Sequence, residues 1–217
     1  VMAIRMQPVK SVFQRMPRLV RELSAKLGKQ VRLVTSGEQT EVDKTVVEEL
    51  ADPLTHMIRN SLDHGIEDAE TRLASGKPAE GTIELAASHV GSNILITVSD
   101  DGRGLDRKRI YQKAIEKGVI PPGSQLSDEE IDDLIFAPGF STAAQVTDVS
   151  GRGVGMDVVR RNIQNLGGRI QVGNAPGRGT RFTLVIPLTL AVLDGMVVKV
   201  GRERYILPLT SIVESFR

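Results

Sequence analysis

One spacing narrows the fold more than any other feature. Two apolar β runs, residues 82–90 and 94–99, are separated only by Gly91-Ser92-Asn93. A parallel crossover needs a dozen or more residues, so these strands must turn back on each other as an antiparallel hairpin. A second pair, residues 169–173 and 180–187, closes in the same way around Pro176-Gly177-Arg178-Gly179. Strands in adjacent pairs, with helical stretches gathered between the pairs, predict an α+β fold. Its form is a two-layer α/β sandwich: a mixed, mostly antiparallel sheet with helices on one face. A doubly wound parallel sheet, which alternates strand and helix, fits less well.

The helical stretches have legible boundaries. Leu19, Val20, Leu23 and Leu27 keep helical spacing within residues 8–27, with Pro17 as a candidate break and Gly28 as the stop. Residues 31–35 alternate as a strand. A second helical region begins near Asp43 and is interrupted at Asp52-Pro53, where an N-cap aspartate and a first-turn proline predict a restart running to Gly65. Residues 106–117 read as a helix ended by Gly118. Ser127 and Glu130 form a capping box for a helix through Phe136, and a last helix runs from about Met156 to Leu166.

Composition removes several function classes. The 28 basic and 27 acidic side chains leave a formal charge of +1, so no bulk attraction to nucleic acid or an anionic membrane exists. Aromatics at 3% provide no base-stacking platform, and the absence of cysteine excludes disulfides, zinc fingers and thiol catalysis. No apolar run approaches 18 residues, which predicts a soluble, cytoplasmic protein without membrane insertion. Both ends read as cut inside larger elements, and 217 residues suit one domain with attachments or two small ones.

Three stretches can carry chemistry. In Asp52-Pro-Leu-Thr-His-Met-Ile-Arg-Asn-Ser-Leu-Asp-His-Gly65, a step of 100° per residue gathers His56, Asn60, Asp63 and His64 on one arc, opposite Leu54, Ile58 and Leu62. Solvated helix faces usually carry long Lys and Glu side chains, whereas these four are short and stiff. Ser99-Asp-Asp-Gly-Arg-Gly104 follows an apolar strand. Asp100 there can accept a hydrogen bond from a ligand amino group while Gly102 and Gly104 admit the ligand close to the backbone, although an acidic turn reads the same way. Ser150-Gly-Arg-Gly-Val-Gly-Met156 runs into a helix, and its glycines expose amides suited to an anion, although a flexible loop looks alike. It lacks the Gly-Lys-Ser/Thr of a P-loop and the strand-led dinucleotide fingerprint. Phe136 and Phe140 flank a Pro-Gly corner as anchors, and Gly177-Arg-Gly-Thr180 alone is an ordinary turn.

The order of these motifs resembles the Bergerat ATP-binding fold shared by sensor histidine kinases, gyrase B, heat-shock chaperone ATPases and mismatch-repair ATPases. The stretches from His56 to Gly65, from Phe136 to Thr142 and from Val149 to Val158 are similar to one branch in particular, the chemotaxis histidine kinases (CheA). The resemblance extends from about residue 5 to the C-terminus. It implies the end of a dimerisation helix and linker at 1–25, an ATP-binding kinase domain at 26–187, and a truncated start of a regulatory β domain at 188–217.

The resemblance also implies roles. ATP and Mg²⁺ are the implied cofactors. Asn60 matches the asparagine whose side-chain oxygen binds Mg²⁺, and Asp100 the acceptor for the adenine amino group. Gly102 and Gly104 would let the ring lie against the turn, with Thr180 near the adenine edge. The loop of Ser150, Gly151, Gly153, Val154, Gly155 and Met156 would hold phosphates. Asp63, His64, Lys113 and Arg109 would line the same mouth. His56 stands where hydrolysing relatives carry a glutamate that activates water, and is read with Asn60 as catalytic. Such a kinase would phosphorylate a histidine on a separate phosphotransfer domain. A CheW-like adaptor and chemoreceptors would engage the regulatory part at the inner face of the membrane. The full-length protein would dimerise, with this piece a monomer. A hydrolysing ATPase of the gyrase type and a nucleotide-binding scaffold without turnover are the rival readings.

Overall fold

A computed structural model describes residues 6–140, 155–188, 195–201 and 203–208. The chain opens with β1 (Met6–Pro8), α1 (Lys10–Phe13) and α2 (Met16–Leu27), followed by β2 (Val31–Ser36) and β3 (Glu41–Asp43). Then come the long α3 (Lys44–Asn60), α4 (Ala69–Ala74), the hairpin β4 (Gly81–Val90) and β5 (Asn93–Asp100), α5 (Arg107–Glu116) and α6 (Asp128–Asp133). After these stand α7 (Met156–Asn165), the hairpin β6 (Arg169–Ala175) and β7 (Gly179–Pro187), and a separate antiparallel pair, β8 (Gly195–Val200) with β9 (Glu203–Pro208).

The main sheet has five strands in the order β2-β4-β5-β7-β6. Every pairing is antiparallel except β2 with β4, which is parallel, so the sheet is mixed as the paired runs imply. One face supplies Ile83, Leu85, Ile94, Ile96, Val98, Phe182, Leu184 and Ile186 to a single core. The helices cover that face, with Leu50, Leu54, Met57 and Ile58 of α3 and Val159 and Ile163 of α7 in the same cluster. The opposite face carries Thr82, Glu84, Ser99, Arg181 and Thr183, half-buried or exposed. Phe136 meets Phe182 edge-on, at 6.4 Å between ring centres, and locks the connection after α6 onto β7. Both Phe136 and Phe140 are buried anchors.

Two expectations are corrected. α3 does not restart at Asp52-Pro53: Pro53 lies inside a continuous helix, whose N-cap is Asp43, its carboxylate accepting from the Thr45 N–H at 2.8 Å. An interior proline costs about 3 kcal/mol. Burying Leu50, Leu54, Met57 and Ile58 completely is worth roughly 1.5–3 kcal/mol for each side chain, so packing wins over propensity. Residues 8–27 are likewise not one helix. Pro17 begins α2 at its first turn, and Gly28 ends that helix in the left-handed conformation at φ 65°. Val9, Val12, Phe13, Met16 and Val20 pack into the same core as α3. The short strands β1 and β3, paired with each other, and helix α4 have no strong period in the sequence.

The cap of α3 is testable. Asp43→Ala removes the acceptor for the Thr45 N–H and should lower unfolding free energy by about 1 kcal/mol, read as a shift in the urea midpoint at unchanged slope.

Candidate functional site

The site grows from the ends of two central strands. Ser99 of β5 pairs with Arg181 of β7, so Asp100 and Thr180 emerge side by side where these two strands end. Asp100 is only 9% exposed and Thr180 6%. The Asp100 carboxylate accepts from the Gly102 N–H at 3.0 Å through Oδ1 and from the Ser61 hydroxyl at 2.9 Å through Oδ2. Burial raises its pKa above the ordinary aspartate value; the Gly102 N–H, the Ser61 hydroxyl and the Thr180 N–H pull the other way. A buried acceptor oriented by donors on two elements is suited to reading a polar group of a ligand.

Glycines make this geometry possible. A Cβ on Gly102 would come within 2.2 Å of the Gly65 carbonyl oxygen, and one on Gly179, at φ 112°, within 1.8 Å of the Asp100 carbonyl oxygen. A Cβ on Gly65 would stand 3.1 Å from both Asp100 carboxylate oxygens. The Arg103 N–H donates to the Gly65 carbonyl at 3.0 Å, and the Gly177 N–H to the Arg103 carbonyl at 2.7 Å. Asn174 of β6 accepts from the Leu105 N–H at 2.8 Å, beside Gly104 at φ 77°. The turn after β5 is thus gripped by the last hairpin on one side and by the end of the long helix on the other.

That helix end departs from the assumed 100° step. After Asn60 the chain opens into a wide π-type turn, in which the Ile66 N–H reaches back five residues to the Ser61 carbonyl at 2.7 Å. The Lys29 ammonium holds the same turn through the Leu62 carbonyl at 2.5 Å and the Asp63 carbonyl at 3.3 Å. His56 and Asn60 are half-buried, whereas Asp63 and His64 are exposed, so the four do not form one uniform face. Burial, and then Arg59, lower the His56 pKa, with Asp157 on α7 and Asp63 opposing. The imidazole is therefore neutral at neutral pH.

Lys113 and Arg109 lie one turn apart on α5. The Lys113 ammonium rests 4.9 Å from the centre of the Phe140 ring, a contact with the loop after α6 rather than with Asp100. Burial, then Lys117 and Arg109, lower its pKa. Arg109 is exposed. Gly155 is the N-cap of α7 and Met156 its first residue, both buried. Ser150, Gly151, Gly153 and Val154 lie outside the described residues. His89 is exposed at the far end of β4, its Nε2 2.8 Å from the Glu41 carbonyl oxygen. Sequence reasoning missed Ser61, Gly65 and Gly179 as walls of the Asp100 site; the only signal for them was adjacency to the motifs already singled out.

Residues 49–190 match the family model described as "Histidine kinase-, DNA gyrase B-, and HSP90-like ATPase". The whole chain is 58% identical to part of "Chemotaxis protein CheA" of Rhizobium meliloti, covering 29% of that protein. It is 48% identical to the CheA of Bacillus subtilis over 99% of this chain and 32% of that one. It is 52% identical to "Sensor histidine kinase CheAY" of Helicobacter pylori over its full length and 27% of that protein. The chain thus spans about a third of the length of the relatives it matches. Among solved structures, the Acinetobacter baumannii histidine kinase AdeS aligns at TM-score 0.51 and 16% identity, over 85% of this chain and 67% of that one. The catalytic domain of histidine kinase ThkA aligns at 0.50 and 18%, over 87% and 97%. At these identities the likeness concerns the fold alone.

The titration of Asp100 follows from its surroundings. Its folded pKa is raised, so the folded state binds this proton more tightly than the unfolded chain. Stability from the group is full at low pH and is lost as pH rises from the ordinary aspartate range through the raised value. Asp100→Asn cannot lose it. Measured by thermal melts, the variant's Tm relative to the parent should be more favourable at about pH 7 than at about pH 4; equal differences at both would mean that the carboxylate is not held neutral-favouring.

Proposed function

Since the chain belongs to the Histidine kinase-, DNA gyrase B-, and HSP90-like ATPase family, we propose that it is the ATP-binding catalytic domain of a chemotaxis sensor histidine kinase. In this reading it transfers the γ-phosphoryl group of ATP to a histidine on a separate phosphotransfer domain. The observation that carries the reading is the buried Asp100 carboxylate, oriented by Ser61 and Gly102 and walled by glycines, with a neutral histidine rather than a carboxylate at position 56.

Asp100 accepts the adenine amino group, and the space left by Gly102 and Gly104 lets the ring approach the backbone. Thr180 borders the same edge. Mg²⁺ takes hard oxygen donors and keeps several waters, which suits the side-chain oxygen of Asn60 together with phosphate oxygens. Bound there, the ion would neutralise charge on the transferring group. Lys113, Arg109 and His64 supply positive charge or donors toward the phosphates. The amides of Gly155 and Met156, with Ser150, Gly151, Gly153 and Val154, add the positive end of α7.

A neutral imidazole at His56 is a weaker base for water than a carboxylate placed for that task, so hydrolysis lacks its activating group. Transfer needs no base for water. The acceptor's ring nitrogen attacks the γ-phosphorus in line, the bond to the β–γ bridging oxygen breaks, and ADP leaves with the electron pair. The proton on the acceptor ring's other nitrogen is lost to solvent. Residues 1–25 are proposed as the end of a dimerisation segment, 26–187 as the kinase domain and 188–217 as the start of a regulatory domain. A CheW-like adaptor and chemoreceptors would be its partners in the cytoplasm of the cell.

The test is direct. The chain, labelled ATP, Mg²⁺ and a histidine phosphotransfer domain should give acid-labile label on the acceptor, and free phosphate alone would favour hydrolysis. Asn60→Ala should abolish the transfer while leaving the melting temperature within a few degrees, since its half-buried side chain contributes no core volume. Activity within about twofold of the parent would remove Asn60 from the Mg²⁺ role.

A further inference from the structure

A cluster of buried charge beneath the Asp100 turn takes no part in the scheme above. Arg72 of α4 is completely buried. Its Nη1 donates to Glu67 Oε2 at 3.1 Å and to the Asp101 carbonyl at 3.2 Å, and its Nη2 to Asp101 Oδ2 at 3.0 Å. The Lys77 ammonium donates to Glu67 Oε1 at 2.7 Å, to the Asp101 carbonyl at 2.9 Å and to the Gly102 carbonyl at 2.7 Å. Burial works against ionised Glu67, yet Lys77, a backbone hydrogen bond and Arg72 hold its pKa below the ordinary value.

The identity of the gripped atoms matters. The Asp101 carbonyl and the Gly102 N–H belong to one peptide group, which is planar, with the two bonds pointing in opposite directions. Two cations hold the carbonyl end. The other end is the N–H that donates to Asp100 Oδ1 at 3.0 Å. Fixing the carbonyl therefore fixes where the N–H points, and the positive charge polarises the peptide so that its N–H is a stronger donor. Arg72 also donates to the Pro78 carbonyl at 2.7 Å and the Glu80 carbonyl at 3.4 Å, but the carbonyl that both cations share is that of the peptide facing the Asp100 carboxylate.

We propose that Lys77 and Arg72, held by Glu67, are positioning residues that aim the Gly102 N–H at Asp100 and so set the carboxylate for reading the nucleobase. The inference rests on Asp100 as the base acceptor, and the experiment separates the two. In the ligand-free chain labelled with ¹⁵N, Lys77→Met should move the Gly102 amide resonance and speed its hydrogen exchange about tenfold, while amides inside β5 such as Ile96 stay put. By calorimetry well below the melting temperature, the same variant should bind ATP about tenfold more weakly with GTP unchanged. Lys77→Arg should restore both readings. Glu67→Gln, which keeps the side chain's shape but loosens both cations, gives the same pattern by another route should Lys77→Met not fold. A lower melting temperature with an unmoved Gly102 amide and an unchanged ATP-to-GTP ratio would overturn the proposal and leave the cluster a stabilising device. A responsive Gly102 amide in a chain whose parent prefers neither nucleotide supports the aiming and overturns instead the reading of Asp100.

Discussion

A buried carboxylate with its donors already in place is the constraint on which this structure turns. Asp100 lies at a strand end where little of it meets water, and burial raises its pKa above the ordinary aspartate value. The fold answers by bringing a hydroxyl from the end of α3 and amides from the turn after β5 and the start of β7 to the same two oxygens. Those elements can approach only because Gly65, Gly102 and Gly179 lack side chains where backbone meets backbone. Strand order, the wide turn at the helix end and the closing hairpin all converge on that pair of oxygens.

Much of this was legible beforehand, for physical reasons that differ from residue to residue. The hairpins followed from loop length, which leaves no alternative connection. The capping box at Ser127 and Glu130 was local chemistry, and both of its hydrogen bonds are present. Asp100 could be singled out because a carboxylate beside two glycines after an apolar strand is an expensive thing to bury. Pro53 misled because propensity is a local quantity, whereas the four buried side chains that override it are a tertiary one. The wide turn after Asn60 also escaped the reading, since a helical wheel assumes the very step that the turn abandons. Arg72 gave no sign at all: a lone arginine in a short polar helix looks solvated, and only the fold sets Glu67 and Asp101 around it.

The electrostatics of the site divide cleanly by sign. The end at Asp100 is acidic and buried, and Arg72 and Lys77 hold the turn beneath it. The α5 end is basic, and Lys113 there is lowered by burial and by its cationic neighbours, Lys117 and Arg109. His56 is kept neutral by burial and by Arg59. A polyanion with a neutral, amino-bearing head would be oriented by this gradient before any contact is made, because a neutral imidazole neither repels nor strongly binds the reacting group.

The register of the sheet has a kinetic consequence. The hairpins β4–β5 and β6–β7 can each form locally, but β5 meets β7 only by closing a loop of roughly ninety residues, with Asn93 opposite Pro187. Long-range pairing of this kind is the slow part of assembling a sheet. Asp100 and Thr180 stand on opposite sides of that seam, so neither hairpin alone contains the pocket. A bound nucleotide would bridge the seam after it has formed, and its stabilisation would then be felt as slower unfolding rather than faster folding.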